Sequence, residues 1–381
     1  MKIVADNRIP FLKGVLEPFA EVIYLPGSSI TANDLTDADA LIIRTRTKCN
    51  ESILKGTKVQ FIGTATIGFD HIDTVYCERN NIKWTNAPGC NSSSVQQYVA
   101  AALLKLAEEY HIDLKKLTIG IIGAGNVGSK VERIARSLGM SVLLNDPPRE
   151  RREGKADFVT FDTILKEADI ITLHVPLNLS GEDKTHHIFN DEAFFRALKQ
   201  PWLINSSRGE VVDTLSVKRA LKSGLIKGAV IDVWENEPDI DPELLSAAFI
   251  ATPHIAGYST DGKANGTAMV VDALSRHFNL PLSVWYPGNV PPPEVPVMEI
   301  NGSGRSDEDI IREAVMHTYD ISLDDANLRK SLSTFEKQRG DYRLRREFHA
   351  YTVRLKGGSV KVKKVLEEFG FKIEKKNLTT E

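Results

Sequence analysis

The sequence predicts an α/β fold built on a doubly wound parallel sheet, and three observations carry that reading. Short β-branched runs alternate with helical or turn segments over most of the chain. From Thr118 to Thr252 those runs are mostly continuous apolar stretches, as expected of strands buried on both faces. Between the first two of them lies a glycine-rich turn that opens a helix with one apolar face. Taken in order, segments 2–6, 21–25, 40–44, 61–64 and 83–87 read as strands, each followed by Gly, Pro, Asn or Asp. A helix follows, striped by Val95, Tyr98, Val99, Ala102, Leu103 and Leu106, with Ser93 and Gln96 spaced as a capping box. The second strand series is 118–122, 141–145, 170–174, 202–206, 228–232 and 249–252, and Val127, Val131, Ile134, Ala135 and Leu138 stripe the helix after its first strand. Another amphipathic helix runs from Gly262 to about His277. Residues 285–297 hold five of the 17 prolines and read as a semi-rigid linker. Beyond it, helical patterns at 307–319 and 358–369 and an extended run at 348–355 predict a small third α/β domain.

Composition narrows the function classes. The chain has 381 residues, enough for two or three domains, and 48 Lys+Arg against 51 Asp+Glu leave a net charge of −3. That balance argues against nucleic-acid or membrane-surface binding by bulk charge. No apolar run approaches the roughly 18 residues of a membrane span, and Asp6 interrupts the N-terminus where a secretory signal would continue. Cys49, Cys77 and Cys90 match no metal-binding spacing and read as reduced thiols, so no metal site is expected and a cytoplasmic location is. A small-molecule partner remains.

Gly123-Ala124-Gly125-Asn126-Val127-Gly128 is a G-x-G-x-x-G between a strand and a helix, the context in which that motif binds a dinucleotide. The glycines permit a tight turn and close backbone approach to a pyrophosphate, and the helix N-terminus presents N–H groups, those of Asn126 and Val127 among them, to the anion. Asp146, eighteen residues beyond Gly128 at the end of the next strand, can accept hydrogen bonds from a ribose diol and repel a 2′-phosphate. NAD is therefore expected over NADP, and the arginines of 147–152 read as a solvated loop.

Three later strands each deliver one reactive side chain just past their ends: Arg208 after 202–206, Glu237 after 228–232 and His254 after 249–252. Ligands in open parallel sheets bind beyond the carboxyl ends of the strands. Singly, each residue is at home in a surface loop. Jointly, in this order and downstream of a dinucleotide turn, they suit oxidation of a 2-hydroxy acid. Histidine takes the hydroxyl proton at a pKa near 6.5. The carboxylate orients the ring and stabilises the imidazolium. Arginine clamps the substrate carboxylate through paired hydrogen bonds. Asp232 can accept from a nicotinamide carboxamide.

On these residues the chain resembles the D-2-hydroxy acid dehydrogenase family. The resemblance implies a substrate domain formed by 1–95 and 257–285, an NAD domain at 96–256 inserted into it, and a C-terminal dimerisation domain with its linker at 286–381. It also implies that Arg208, Glu237 and His254 are catalytic, that Thr45, Thr66 and Tyr258 contact substrate, and that Asn126, Val127, Asp146, Val175, Asp232 and Gly257 contact NAD. Segments 63–73, 87–91, 254–258, 335–337 and 345–348 look like a branch of the family that oxidises 4-phospho-D-erythronate in vitamin B6 biosynthesis as a homodimer. A dehydrogenase of another phosphorylated acid such as 3-phosphoglycerate, and an NAD-sensing protein without turnover, stay open as alternatives. For the substrate phosphate, the turn Arg44-Thr45-Arg46-Thr47 is one candidate, and Arg345 or Arg346 reaching over from a dimer partner is another.

Overall fold

The computed structural model describes residues 1–154 and 157–374. They form two compact units, one of residues 1–91 and 259–291, the other of residues 92–258 and the chain from Pro292 onward. Residues 375–381 of the expected C-terminal domain lie outside the described residues.

The first unit is a five-stranded sheet of β1 (Lys2–Asp6), β2 (Glu21–Leu25), β3 (Ala40–Ile43), β4 (Phe61–Thr64) and β5 (Lys83–Thr85), ordered β2-β1-β3-β4-β5 with every pair parallel. Alternate sides of its strands feed two cores. Val4, Leu41, Ile43 and Ile62 face one, while Ile3, Ala5, Ile42 and Phe61 pack with Val270, Val271 and Leu274 of the helix Thr260–Phe278. This division is what a pleated strand with helices on both faces requires.

The second unit holds a six-stranded parallel sheet of β6 (Thr118–Ile122), β7 (Ser141–Asn145), β8 (Ile170–Leu173), β9 (Trp202–Asn205), β10 (Gly228–Ile231) and β11 (Ile250–Ala251), ordered β11-β10-β9-β8-β6-β7. β7 turns back beside β6 while the chain continues on β6's other side, so the strand order reverses there, as a doubly wound sheet does at its ligand crevice. A third parallel sheet, β12 (Val297–Asn301), β13 (Thr352–Lys356) and β14 (Lys372–Ile373), follows the prolines. It does not build a core of its own. Met298, Ile300, Ile310, Val315, Val353 and Leu366 join one cluster with Val99, Leu103, Ile119 and Val131. The helix Ser92–Glu109 is consequently buried around most of its girth, with the helix Asp307–Thr318 packed against it.

Three local expectations need correction, and two helices are additional to those expected. Ser93 lies inside the helix that begins at Ser92, and its hydroxyl meets Lys130 Nζ at 2.5 Å instead of forming the capping box. Residues 147–153 are helical, not a loop, because Asp146 caps the helix and prolines suit its first positions. The run 348–355 opens with a 3₁₀ turn at Phe348–Ala350 before β13 begins. Two further helices, Ile321–Lys330 and Phe335–Gly340, lie where the sequence shows no clear apolar stripe.

Candidate active site

The glycine turn is built by backbone packing. Gly123 has φ +89°, and a Cβ there would lie 2.5 Å from the His174 carbonyl oxygen. A Cβ on Gly128 would lie 2.0 Å from the Gly123 carbonyl oxygen, so neither position accepts a side chain. Gly125 has open space instead. That opening, with the start of the helix Gly128–Ser137 behind it, fits a backbone cradle for a pyrophosphate and so fits NAD. Val127 occupies the position before the helix, and Val175 packs its side chain toward Gly123. Asp146 Oδ2 accepts from the Ala124 amide at 2.9 Å and Oδ1 from the Arg149 amide at 2.9 Å. The carboxylate thus stands beside the turn at the end of β7. Arg149 reaches back to the Ala124 carbonyl and pairs with Glu153, while Arg151 pairs with Asp183 and Glu182. Arg149 and Arg151, two of the arginines of 147–152, are therefore engaged within the protein.

The loops after β9, β10 and β11 are held together by a few close contacts. A Cβ on Gly209 would fall 2.0 Å from the Trp234 carbonyl carbon, so the turn carrying Arg208 presses directly on the loop carrying Glu237. Asn205 Nδ2 donates to the Arg208 carbonyl at 2.9 Å, and Arg208 itself is half-buried with Nη1 on the Ser207 carbonyl. Glu235 tethers its loop by accepting from the Thr214 amide and bonding His187, and the Trp234 indole donates to the Thr252 carbonyl at 2.9 Å.

Asp232 organises the next loop. It is 1% exposed, accepting from the Thr252 hydroxyl at 2.7 Å, the Ile255 amide at 2.8 Å and the Ala256 amide at 2.9 Å. Because Thr252 gives its only hydroxyl proton to Asp232, the Tyr98 hydroxyl must be the donor in its 2.8 Å bond to Thr252. Burial pushes the Asp232 carboxyl above its ordinary range, and the facing His254 and these hydrogen bonds only partly counter it. Asp232 thus wraps residues 252–256 around one carboxylate. Gly257 follows directly, half-buried.

His254 sits on that loop with φ +56°, a left-handed conformation unusual for a side chain with a Cβ. Its amide donates to the Asp232 carbonyl at 2.7 Å, and its Nδ1 lies 2.8 Å from Glu237 Oε2. Glu237 Oε1 accepts from the Trp234 amide at 2.9 Å. Burial alone would raise the Glu237 carboxyl, but the bond and charge of His254, the Trp234 amide and the nearby Arg339 outweigh it and hold the carboxyl below its ordinary range. An ionised carboxylate can only accept, so Nδ1 carries the ring proton and Nε2 is left as the proton acceptor. The pair can move a proton at Nε2.

Not every candidate lies in this cluster. Thr45 and Thr66 belong to the first unit, on turns just beyond the paired strands β3 and β4. Thr45 is exposed. Thr66 Oγ1 is bonded to Thr64 and to the Gly68 carbonyl, and Thr64 in turn meets His71 Nε2 at 3.1 Å. Tyr258 closes the second unit's loop, its ring edge-on to Tyr342 at 6.0 Å. Arg345 departs from expectation. It is 2% exposed, stacked 4.4 Å from the Tyr319 ring centre and bonded to Ser94 and to the Ala256 carbonyl, so it supports its own chain instead of reaching into a partner. Arg339 was missed, since it lies in no motif and meets Glu237 only through the tertiary fold.

The description "D-isomer specific 2-hydroxyacid dehydrogenase, NAD binding domain" matches residues 91–256, and a domain of unknown function, DUF3410, matches 290–370. Erythronate-4-phosphate dehydrogenase of Bacteroides fragilis is 50% identical over 355 residues, covering 93% of this chain and 99% of that protein. The enzyme of the same name from Porphyromonas gingivalis is 42% identical, covering 97% and 100%. The chain belongs to the D-2-hydroxyacid dehydrogenase family. Among solved members, D-lactate dehydrogenase of Aquifex aeolicus, complexed with NAD and lactic acid, superposes with a TM-score of 0.61 at 27% identity, covering 73% of this chain and 96% of that one. The NAD-bound 3-phosphoglycerate dehydrogenase of Entamoeba histolytica gives 0.62 at 25%, covering 75% and 98%. The family's NAD-binding domain is thus the six-stranded sheet with its preceding helix. Among the described residues no helix is long and apolar enough to cross a membrane.

Proposed function

We propose that this chain oxidises 4-phospho-D-erythronate to 3-hydroxy-2-oxo-4-phosphooxybutanoate with NAD, a step toward pyridoxal 5′-phosphate. The observation that carries the reading is 50% identity to an erythronate-4-phosphate dehydrogenase across nearly the whole of both chains, C-terminal region included. The 3-phosphoglycerate alternative is weaker, because that likeness leaves a quarter of this chain uncovered.

In this reading His254 Nε2 takes the C2 hydroxyl proton, and Glu237 holds the ring and shares the charge that forms. Arg208 binds the substrate carboxylate and polarises the oxygen at C2. Thr45, Thr66 and Tyr258 contact the rest of the substrate. The turn 123–128 with Asn126 and Val127, together with Asp146, Val175, Asp232 and Gly257, holds the dinucleotide. NAD, when bound, supplies the carbon that accepts the hydride. The C-terminal region pairs two copies into a homodimer in the cytoplasm.

The test is NADH absorbance with the purified chain. 4-Phosphoerythronate is offered with NAD, its 2-oxo product with NADH, and 3-phosphoglycerate beside both. Turnover confined to 3-phosphoglycerate, or to neither acid, overturns the assignment. Light scattering of the full chain across a dilution series reads the dimer, and a constant monomer mass removes it.

A further inference from the structure

Arg339 lies on the helix Phe335–Gly340, over a hundred residues beyond Glu237, yet its Nη1 is 3.7 Å from Glu237 Oε2. That oxygen is the one His254 Nδ1 bonds at 2.8 Å. The same Nη1 lies 3.0 Å from Glu336 Oε1, and the guanidinium sits 5.9 Å from the Tyr258 ring centre and 5.8 Å from that of Phe335. Its side chain is 20% exposed, and its Nε is buried with no hydrogen-bond partner among the described residues. Arg329, by contrast, pairs with Asp325 on its own helix and gives its remaining donors to the carbonyls of Leu245 and Ala248, so among the described residues no second carboxylate faces it as Glu237 faces Arg339.

We propose that Arg339 is a positioning residue for the dehydrogenase reaction, acting through Glu237 to steady the carboxylate and to limit how firmly it keeps a proton on His254. The inference rests on the assignment of His254 and Glu237 as the proton-transfer pair. Two carboxylates face the imidazole, Glu237 at its Nδ1 and Asp232 beneath its loop, and both favour the imidazolium. Oxidation, however, needs His254 neutral when substrate arrives. Arg339 opposes the two carboxylates from the far flank of Glu237. Glu336 tempers Arg339 from the more exposed side, and Tyr258 shields it with an aromatic face. Arg208, on the neighbouring turn, is bonded to its own Ser207 carbonyl. The C-terminal region thereby contributes a charge to the reaction centre.

The experiment uses the full chain with Arg339→Met, Arg339→Lys and Glu336→Gln. kcat/KM for oxidation is followed against pH, and the His254 ring is titrated by NMR in the enzyme alone, with His254→Asn to assign the signal. Arg339→Met should move the acid limb and the ring's titration midpoint upward together, by about half a unit to one unit. Arg339→Lys should keep most of the wild-type position, since it retains the charge. Glu336→Gln should move both downward by a smaller amount, which keeps the idea testable if Arg339→Met folds poorly. A limb and midpoint that stay put in Arg339→Met and Glu336→Gln overturn the proposal, even if KM rises. The NMR titration needs no substrate, so a wrong substrate assignment would silence the kinetics and leave that readout intact.

Discussion

Glu237→Gln is the sharpest perturbation of the proposed proton-transfer pair, because both carboxylate oxygens are committed. Oε1 accepts from the Trp234 amide at 2.9 Å and Oε2 faces His254 Nδ1 at 2.8 Å. Glutamine has one acceptor oxygen and one amide nitrogen, so it can serve only one of these donors. If its oxygen keeps Trp234, the amide donates to Nδ1 and drives the ring proton onto Nε2, the tautomer that cannot accept from substrate. If its oxygen keeps His254, the amide nitrogen confronts the Trp234 N–H, and an unsatisfied buried donor costs about 1–3 kcal/mol. Either arrangement also removes the negative charge that faces the ring and stabilises a proton taken up there. The plateau kcat for oxidation should therefore fall by at least about tenfold. The acid limb of kcat/KM should move to lower pH, because the neutral ring is no longer disfavoured by its partner. Initial rates of NADH formation, measured across the pH range where wild type rises to its plateau, supply both numbers. A variant with a near-normal plateau and an unmoved limb would show that Glu237 only braces its loop.

His254→Ala should lower kcat by about 10²–10⁴ while NAD affinity, read by protein fluorescence, stays near wild type; near-normal turnover refutes the assignment. His174 is half-buried with its Nδ1 enclosed and its Nε2 3.0 Å from the Thr172 hydroxyl, and desolvation pushes it down to about 3 from 6.5. The unfolded chain then binds a proton that the native state refuses, so stability is complete above about pH 6.5 and falls as pH drops toward 3, by about 2 kcal/mol at pH 5. His174→Gln should lose that slope in denaturant titrations, and an acid loss parallel to wild type would refute it. Gly209→Ala forces a methyl onto the Trp234 backbone and should cost about 3 kcal/mol or more by urea unfolding, so a neutral outcome contradicts the loop contact. Arg44→Met and Arg46→Met, made separately, test the strand-end turn as the phosphate site. At least one should lose kcat/KM on 4-phosphoerythronate while a weak rate on erythronate holds, by about tenfold or more for one charge-assisted bond; equal losses on both acids place the phosphate elsewhere.

Much of the site was legible because parallel strands deliver their following loops to one edge. Arg208, Glu237 and His254 could be placed from strand ends alone, and so could Asp146 beside the glycine turn. What strand counting could not show is how those loops are tied: Gly209 against Trp234, and residues 252–256 around Asp232, are contacts between segments 20 or more residues apart. The helix at 147–153 was misread because paired prolines look like a break, although prolines in a first turn behind a capping Asp are a start signal. Ser93 misled for the opposite reason, since a serine three residues before a glutamine has the spacing of a cap but here lies one position inside the helix. Arg339 and Arg345 carry no periodic or motif signal at all. Their partners in the site loops and at the start of the helix Ser92–Glu109 lie about 90 to 250 residues away, and only the packed chain brings them there.

Those two arginines change what the C-terminal region means for this enzyme family member. Arg345, fully enclosed, ties Ser94 at the start of the helix Ser92–Glu109 to the Ala256 carbonyl, one residue before the loop position expected to meet NAD. Tyr319 lies across its face, and Tyr342, which bonds Asp324, flanks it. Arg345 Nη2 is met by Ser94 and the Ala256 carbonyl while its Nε is buried without a hydrogen-bond partner among the described residues, so losing the Tyr319 ring that covers it would add to a desolvation cost already present. The apolar side chains of β12, β13 and the helix Asp307–Thr318 meanwhile share one core with the NAD-binding sheet. Cutting the chain near residue 290 would therefore strip that core and unseat the His254 loop at once. Loss of activity in such a truncation would say nothing about dimerisation, since the same residues that could pair two copies also hold the His254 loop of their own chain.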